Sequence, residues 1–282
     1  MKNSLIRKSG HIFSAKHDKP IAYDFSYSTT FQEHTPVVFV HGFKGFKDWG
    51  PFNVISEQFA AQGCCFIKLN LSHNGTTLDA PTDFSDLDAF SKNNFSIELD
   101  DIGVLIDFLL RDDFPIRLAK DKLSIIGHSR GGGLAILKTK EDQRIRKLTT
   151  WAALTDIRAT WRAADLEDWK KTQTIYIDNS RTQQKMPMHY QIVEDFLRNE
   201  ARLDIPQAIG HIAIPFLAFH GDSDATLPIQ MAQLIPNRNK NAQLIVVSNS
   251  NHTFEATHPF EGPLPANLKK VVHSTLDFIL QK

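Results

Sequence analysis

The chain has 282 residues, 41% of them hydrophobic, and its 32 basic and 32 acidic side chains cancel to a formal net charge of zero. That length suits one large α/β domain with room for an insertion. The charge balance gives no electrostatic basis for binding nucleic acid or an anionic membrane, which leaves small, neutral or weakly charged partners. No run reaches the length of a membrane span, and residues 1–10 lead into His11, Lys16 and Asp18 instead of an apolar signal core, so the cytoplasm is the expected location. The only cysteines, Cys64 and Cys65, are adjacent in the apolar run 64–71. A strand there would send them to opposite faces, as core residues rather than a redox pair.

Taken in order, residues 10–14 and 20–26 read as short strands around a His17-Asp18-Lys19 turn, an antiparallel hairpin at one sheet edge. Residues 36–40 form a strongly apolar strand that runs into His41-Gly42-Phe43-Lys44-Gly45-Phe46. A glycine-bearing loop at the C-terminal end of a strand is where ligands collect in open α/β sheets, which makes the Phe43 N–H a candidate oxyanion donor. His41 is expected to brace that loop rather than to react. Pro51 can open a helix whose apolar face is Phe52, Ile55 and Phe59, ending at Gly63. Strand 65–71 follows, and its exit 72–77 lies at the same end of the sheet, with His73 read as a turn-stabilising residue. From Ser96, the expected N-cap, residues Ile97, Asp101, Val104, Leu105, Phe108 and Leu109 describe an amphipathic helix with Asp100 and Asp101 on its solvated side.

The informative stretch comes next. Residues 123–126 are apolar, partly β-branched and bounded by glycine, which suits a strand buried on both faces of a parallel sheet. The chain continues Gly127-His128-Ser129-Arg130-Gly131 and then into a helix through residues 134–138. In this Gly-x-Ser-x-Gly pattern, a strained strand-to-helix turn lifts a serine hydroxyl clear of the sheet at a helix N-terminus. The flanking glycines leave room for so sharp a turn, and unpaired helix-end N–H groups face a developing oxyanion. Ser129 is thereby the candidate nucleophile and the Arg130 N–H the other candidate oxyanion donor. Alternating strands and helices argue for right-handed crossovers around a mostly parallel sheet.

Residues 147–154 supply another strand, but the next is not evident until 214–219, so residues 157–211 exceed an ordinary crossover and are read as an insertion. It should hold a charged helix over 159–171, a strand at 174–178 that could start a hairpin, and a helix over 189–200. Its aromatic and apolar side chains suit a cap over a site; a surface excursion packed on itself is the alternative. Strand 216–219 ends in His220-Gly221-Asp222-Ser223-Asp224. Asp224 is preferred as the acid because the glycine turn brings the later carboxylate toward the site, while Asp222 is placed to bond backbone. Asp156, at the end of the preceding strand, is the competing acid. Strand 244–247 leads to His252, the candidate base, and a closing helix over 265–280 carries Leu268, Val271, Val272, Leu276 and Ile279 as its stripe. The order is serine, acid, histidine.

These motifs resemble those of the α/β-hydrolases: the His-Gly loop at His41-Gly42-Phe43, the nucleophile elbow at Gly127 to Gly131, His-Gly-x-x-Asp at His220 to Asp224, and the late histidine His252. The resemblance spans most of the chain. It implies an α/β-hydrolase fold: a mostly parallel eight-stranded sheet with helices on both faces, a core of residues 1–156 and 212–282, and a lid at 157–211 after the sixth strand. It implies nucleophile Ser129, acid Asp224, base His252, and oxyanion amides from Phe43 and Arg130. By position and possible hairpin, the insertion is similar to the lids of small serine esterases of the feruloyl or cinnamoyl type. Acyl-peptidase relatives often carry His-Gly-Gly-Pro and an aromatic residue after the serine, and this chain departs from both. The expected activity is hydrolysis of a small-molecule ester through an acyl-enzyme, with no metal or organic cofactor. Acyl-peptidase, thioesterase and non-catalytic binding on the same scaffold are the alternatives.

Overall fold

In the computed structural model, which describes residues 5–281, the apolar runs lie side by side in one sheet. The chain begins with β1 (Leu5–Phe13), β2 (Pro20–Ser28) and β3 (Thr35–Val40), then α1 (Phe52–Ala61) and β4 (Cys64–Asn70). Next come α2 (Leu87–Ser91), α3 (Phe95–Leu109), β5 (Ser124–His128), α4 (Arg130–Glu141) and β6 (Lys147–Trp151). Between β6 and β9 the chain forms α5 (Ala163–Thr172), β7 (Thr174–Asn179), β8 (Gln184–His189), α6 (Gln191–Arg198), α7 (Glu200–Leu203) and α8 (Ile205–His211). It closes with β9 (Phe216–Gly221), α9 (Ile229–Arg238), β10 (Ala242–Val247) and α10 (Ala266–Leu280).

The eight-stranded sheet runs β1-β2-β4-β3-β5-β6-β9-β10, and β7 and β8 pair separately as an antiparallel hairpin. Only the pairings β1–β2 and β2–β4 are antiparallel. The rest of the sheet is parallel, as expected for buried, β-branched strands fed by helical crossovers. Strand alternation sorts the core. Val38, Val40, Cys65, Ile67 and Ile125 pack with Leu99, Ile102 and Leu134 on one face. Val37, Phe39, Cys64, Phe66 and Ile126 pack with Ile55, Phe59, Val271 and Val272 on the other. The two cysteines thus face opposite ways, as a strand requires. Parallel pairing also brings the C-terminal ends of β3, β5, β6 and β9 to one edge of the sheet.

Several local expectations need correction. Asn94, not Ser96, caps α3, its side chain accepting from the Ile97 N–H at 2.9 Å. Asp101 is not solvated: it is 0% exposed and accepts from the Ser72 N–H at 2.7 Å and from His17 at 3.0 Å. Strand β1 begins at Leu5 rather than at residue 10, and α2, α8 and α9 form in segments to which the sequence reading assigns no element. Among residues 157–211, Trp169, Tyr190, Ile192, Val193 and Phe196 belong to the same apolar cluster as Leu99 and Ile136. No helix among the described residues is long and apolar enough to cross a membrane.

Candidate active site

The loop after β5 is forced into its shape by contacts that leave no room for a side chain. A Cβ at Gly127 would lie 2.1 Å from the Gly131 carbonyl oxygen, and one at Gly131 would lie 2.3 Å from that of Val40. Ser129 itself sits at φ 56°, ψ −122°, a conformation costly for an L residue. Its own backbone holds it there. The Ser129 N–H donates to the Trp151 carbonyl at 2.9 Å, and its carbonyl accepts from Gly132, Gly133 and Leu154 at 2.9, 3.3 and 2.9 Å. The hydroxyl is therefore presented by β5, α4 and the end of β6 together.

Ser129 Oγ lies 2.8 Å from His252 Nε2, and His252 Nδ1 lies 2.7 Å from Asp224 Oδ2. Asp224 comes from the turn after β9 and His252 from the loop after β10, so the parallel β9–β10 pairing brings them together. The other Asp224 oxygen accepts from the Thr226 and Leu227 N–H groups at 2.8 and 2.9 Å. Burial disfavours the Asp224 charge, but hydrogen bonds from His252, Leu227 and Thr226 outweigh it and hold the carboxyl below its ordinary value. A carboxylate facing Nδ1 makes that nitrogen the donor, which leaves Nε2 to accept the serine proton.

The competing acids are occupied elsewhere. Asp222 accepts from the Asn249 N–H at 2.7 Å and ties the β9 turn to the loop after β10. Asp156 accepts from the Arg158 N–H at 2.9 Å at the start of a short helical turn. His41 donates from Nδ1 to the Gly42 carbonyl at 2.8 Å, and burial lowers its pKa to about 4, so it is a neutral brace for the loop. His73 bonds Ser72 Oγ at 2.7 Å, away from Ser129.

Phe43 and Arg130 flank Ser129. The Arg130 N–H opens α4, where no earlier turn supplies it a partner, and the Gly42 backbone passes so close that a Cβ there would lie 3.0 Å from Ser129 Cβ. Two cavities meet at the serine. One, about 370 Å³, is lined by Phe95, Trp161, Ile175, Ile177 and Met188 as well as Phe43 and Arg130. The other, about 140 Å³, is lined by His41, Trp49, Phe52, His128 and His252. A larger depression of about 640 Å³ lies among residues 109–121, at the opposite end of β5, with no serine, cysteine or histidine in its lining.

Two residues were not singled out from the sequence. His128 donates from Nε2 to the His252 carbonyl at 3.0 Å and stays neutral, its pKa lowered to about 3 chiefly by burial and then by the neighbouring His252. It thus braces the His252 loop from beneath. Its signal was its place in the elbow pentapeptide, one residue before the serine. Glu98, on α3, pairs with the Arg130 side chain at 2.8 Å, with nothing local in the sequence to mark it. Among the described residues no group of three or more His, Cys, Asp or Glu side chains is placed to hold a metal ion.

Comparison with known proteins bears on the family and the fold. Residues 86–282 match the family model of the prolyl oligopeptidase family, Peptidase_S9. No curated protein matches the chain in sequence. Est1E from Butyrivibrio proteoclasticus, solved with ferulic acid bound, superposes with a TM-score of 0.69 at 14% identity, covering 96% of this chain and 98% of that one. Alpha/beta hydrolase domain-containing protein 10 from mouse superposes with a TM-score of 0.67 at 14% identity, over 96% and 98% of the two chains. Dienelactone hydrolase from Anabaena variabilis gives 0.62 at 13% identity, over 98% and 97%. At such identities the likeness establishes the α/β-hydrolase fold.

Proposed function

The chain belongs to the prolyl oligopeptidase family and is a serine hydrolase of α/β fold, and from that premise we propose that it cleaves carboxylic esters through an acyl-enzyme. The observation that carries the proposal is the continuous hydrogen-bonded line Ser129–His252–Asp224 opening onto a mainly apolar cavity of about 370 Å³.

In this reading His252 Nε2 takes the Ser129 proton as Oγ attacks the ester carbonyl, while Asp224 fixes the imidazole tautomer and stabilises its charged form. The Phe43 and Arg130 N–H groups receive the oxyanion. Protonated His252 hands its proton to the alkoxide as the carbon–oxygen bond breaks, so the alcohol leaves and the acyl group stays on Ser129. His252 then draws a proton from water; the hydroxide adds to the acyl carbon, Ser129 Oγ leaves with that proton, and the acid departs. The insertion at 157–211 acts as a lid that supplies the apolar wall for the acyl group through Ile175, Ile177 and Met188.

The family match favours a second reading, cleavage of short acyl-peptides by the same three side chains. Labelling with a fluorophosphonate and turnover on matched ester, thioester and peptide substrates separate the readings. Wild type is expected to label and to prefer the ester, and Ser129→Ala to do neither. A preference for the peptide would replace the ester assignment, and absence of labelling and of turnover on all three would leave a binding protein.

A further inference from the structure

The Arg130 side chain is the part of the site that acyl transfer leaves unused. Its backbone N–H faces the oxyanion, yet its guanidinium is also buried, the residue being 8% exposed. The Phe95 ring lies 4.0 Å from the guanidinium carbon and the Phe43 ring 5.2 Å. Nε donates to Glu98 Oε2 at 2.8 Å. The expected two-pronged pairing does not form, because Glu98 Oε1 accepts instead from Asn93 Nδ2 at 2.7 Å. Nη2 is left enclosed with no hydrogen-bond partner among the described residues.

A guanidinium carries five N–H donors, and leaving a buried one unpaired is costly. That cost is spent beside the nucleophile, in the wall of the cavity that Phe43, Phe95 and Arg130 share with Ser129. We infer that Arg130 is a specificity-determining residue whose free terminal N–H groups bind a neutral oxygen on the acyl group, so that the preferred substrates are esters of keto, hydroxy or alkoxy acids with an otherwise apolar chain. The neutrality follows from charge: Glu98 already balances Arg130, and a substrate carboxylate would leave a net negative charge buried among aromatic rings. The apolar remainder follows from Ile175, Ile177 and Met188 across the cavity. This inference rests on the ester reading above and names the acyl class for that site.

The test uses p-nitrophenyl esters of equal length whose acyl groups are straight-chain, keto-substituted or carboxylate-terminated, compared by kcat/KM. Wild type is expected to favour the keto ester over the straight-chain ester by about tenfold, the worth of one hydrogen bond to a charged donor, and to turn over the carboxylate ester least well. Arg130→Met is expected to abolish the ratio between keto and straight-chain esters. Glu98→Gln keeps an acceptor for Nε but removes the balancing charge, and is expected to shift preference toward the carboxylate ester. The Glu98 variant and the wild-type ratio keep the test decisive if Arg130→Met does not fold. Equal wild-type rates on the keto and straight-chain esters, or a ratio that survives in Arg130→Met, would overturn the Arg130 assignment while leaving ester hydrolysis standing. No turnover on any of the three, with no fluorophosphonate labelling of Ser129, would remove both.

Discussion

Asp224 differs from the acids near it in what its two oxygens do: one faces His252 and the other is held by the Thr226 and Leu227 N–H groups. An amide at that position would present a donor to Nδ1 and favour the wrong tautomer, so Asp224→Asn is expected to lower kcat by on the order of 10⁴. Asp156→Asn and Asp222→Asn are expected to stay within about tenfold, with folding checked by circular dichroism. The buried histidines contribute to the acid response. His41 and His128 have pKa values lowered to about 4 and about 3, below the ordinary value near 6.5. Between those limits the unfolded chain binds more protons than the folded one, so their contribution to stability is complete above about pH 6.5 and is lost as pH falls toward the folded values. Urea unfolding is expected to show that loss, and His128→Gln, which keeps a donor for the His252 carbonyl, to lessen it.

At the scale of elements, the β7–β8 hairpin lays Ile175, Ile177 and Met188 along the larger cavity. Ile177→Trp adds bulk there without touching Ser129, His252 or Asp224. It is expected to cut kcat/KM by about tenfold or more for long acyl esters while acetate esters change little, measured across a chain-length series. The strands and the elbow were legible because their signals are local: a run such as 36–40 is too apolar for any place but a buried strand, and glycines at 127 and 131 mark backbone contact. The α3 cap was misread because Asn94 and Ser96 are both good caps and lie two residues apart, with only the packing of Phe95 to choose between them. Asp101 was misread because its partners, His17 and Ser72, come from other parts of the chain. Glu98 was invisible for the same reason: its role depends on Arg130, a helix away.

For the molecule as a whole, residues 157–211 are not a separate body. Trp169 and Phe196 share an apolar cluster with Leu99, Leu134 and Ile136 of the α3–α4 layer. The protein is therefore expected to unfold in one cooperative transition. Replacing Trp49 and Trp151 with Phe leaves Trp161 and Trp169 as reporters in that segment, and their fluorescence midpoint should coincide with that of far-ultraviolet circular dichroism. An earlier fluorescence midpoint would mean the segment melts alone. The bonds that pin Ser129 between β5, β6 and α4 carry a consequence of their own. Its main chain cannot loosen without parting neighbouring strands, so its amide hydrogen should be among the last to be surrendered to heavy water. On the proposed mechanism, the attacking oxygen would then ride on some of the least mobile backbone in the protein, with adaptation to different acyl groups left to the surrounding walls.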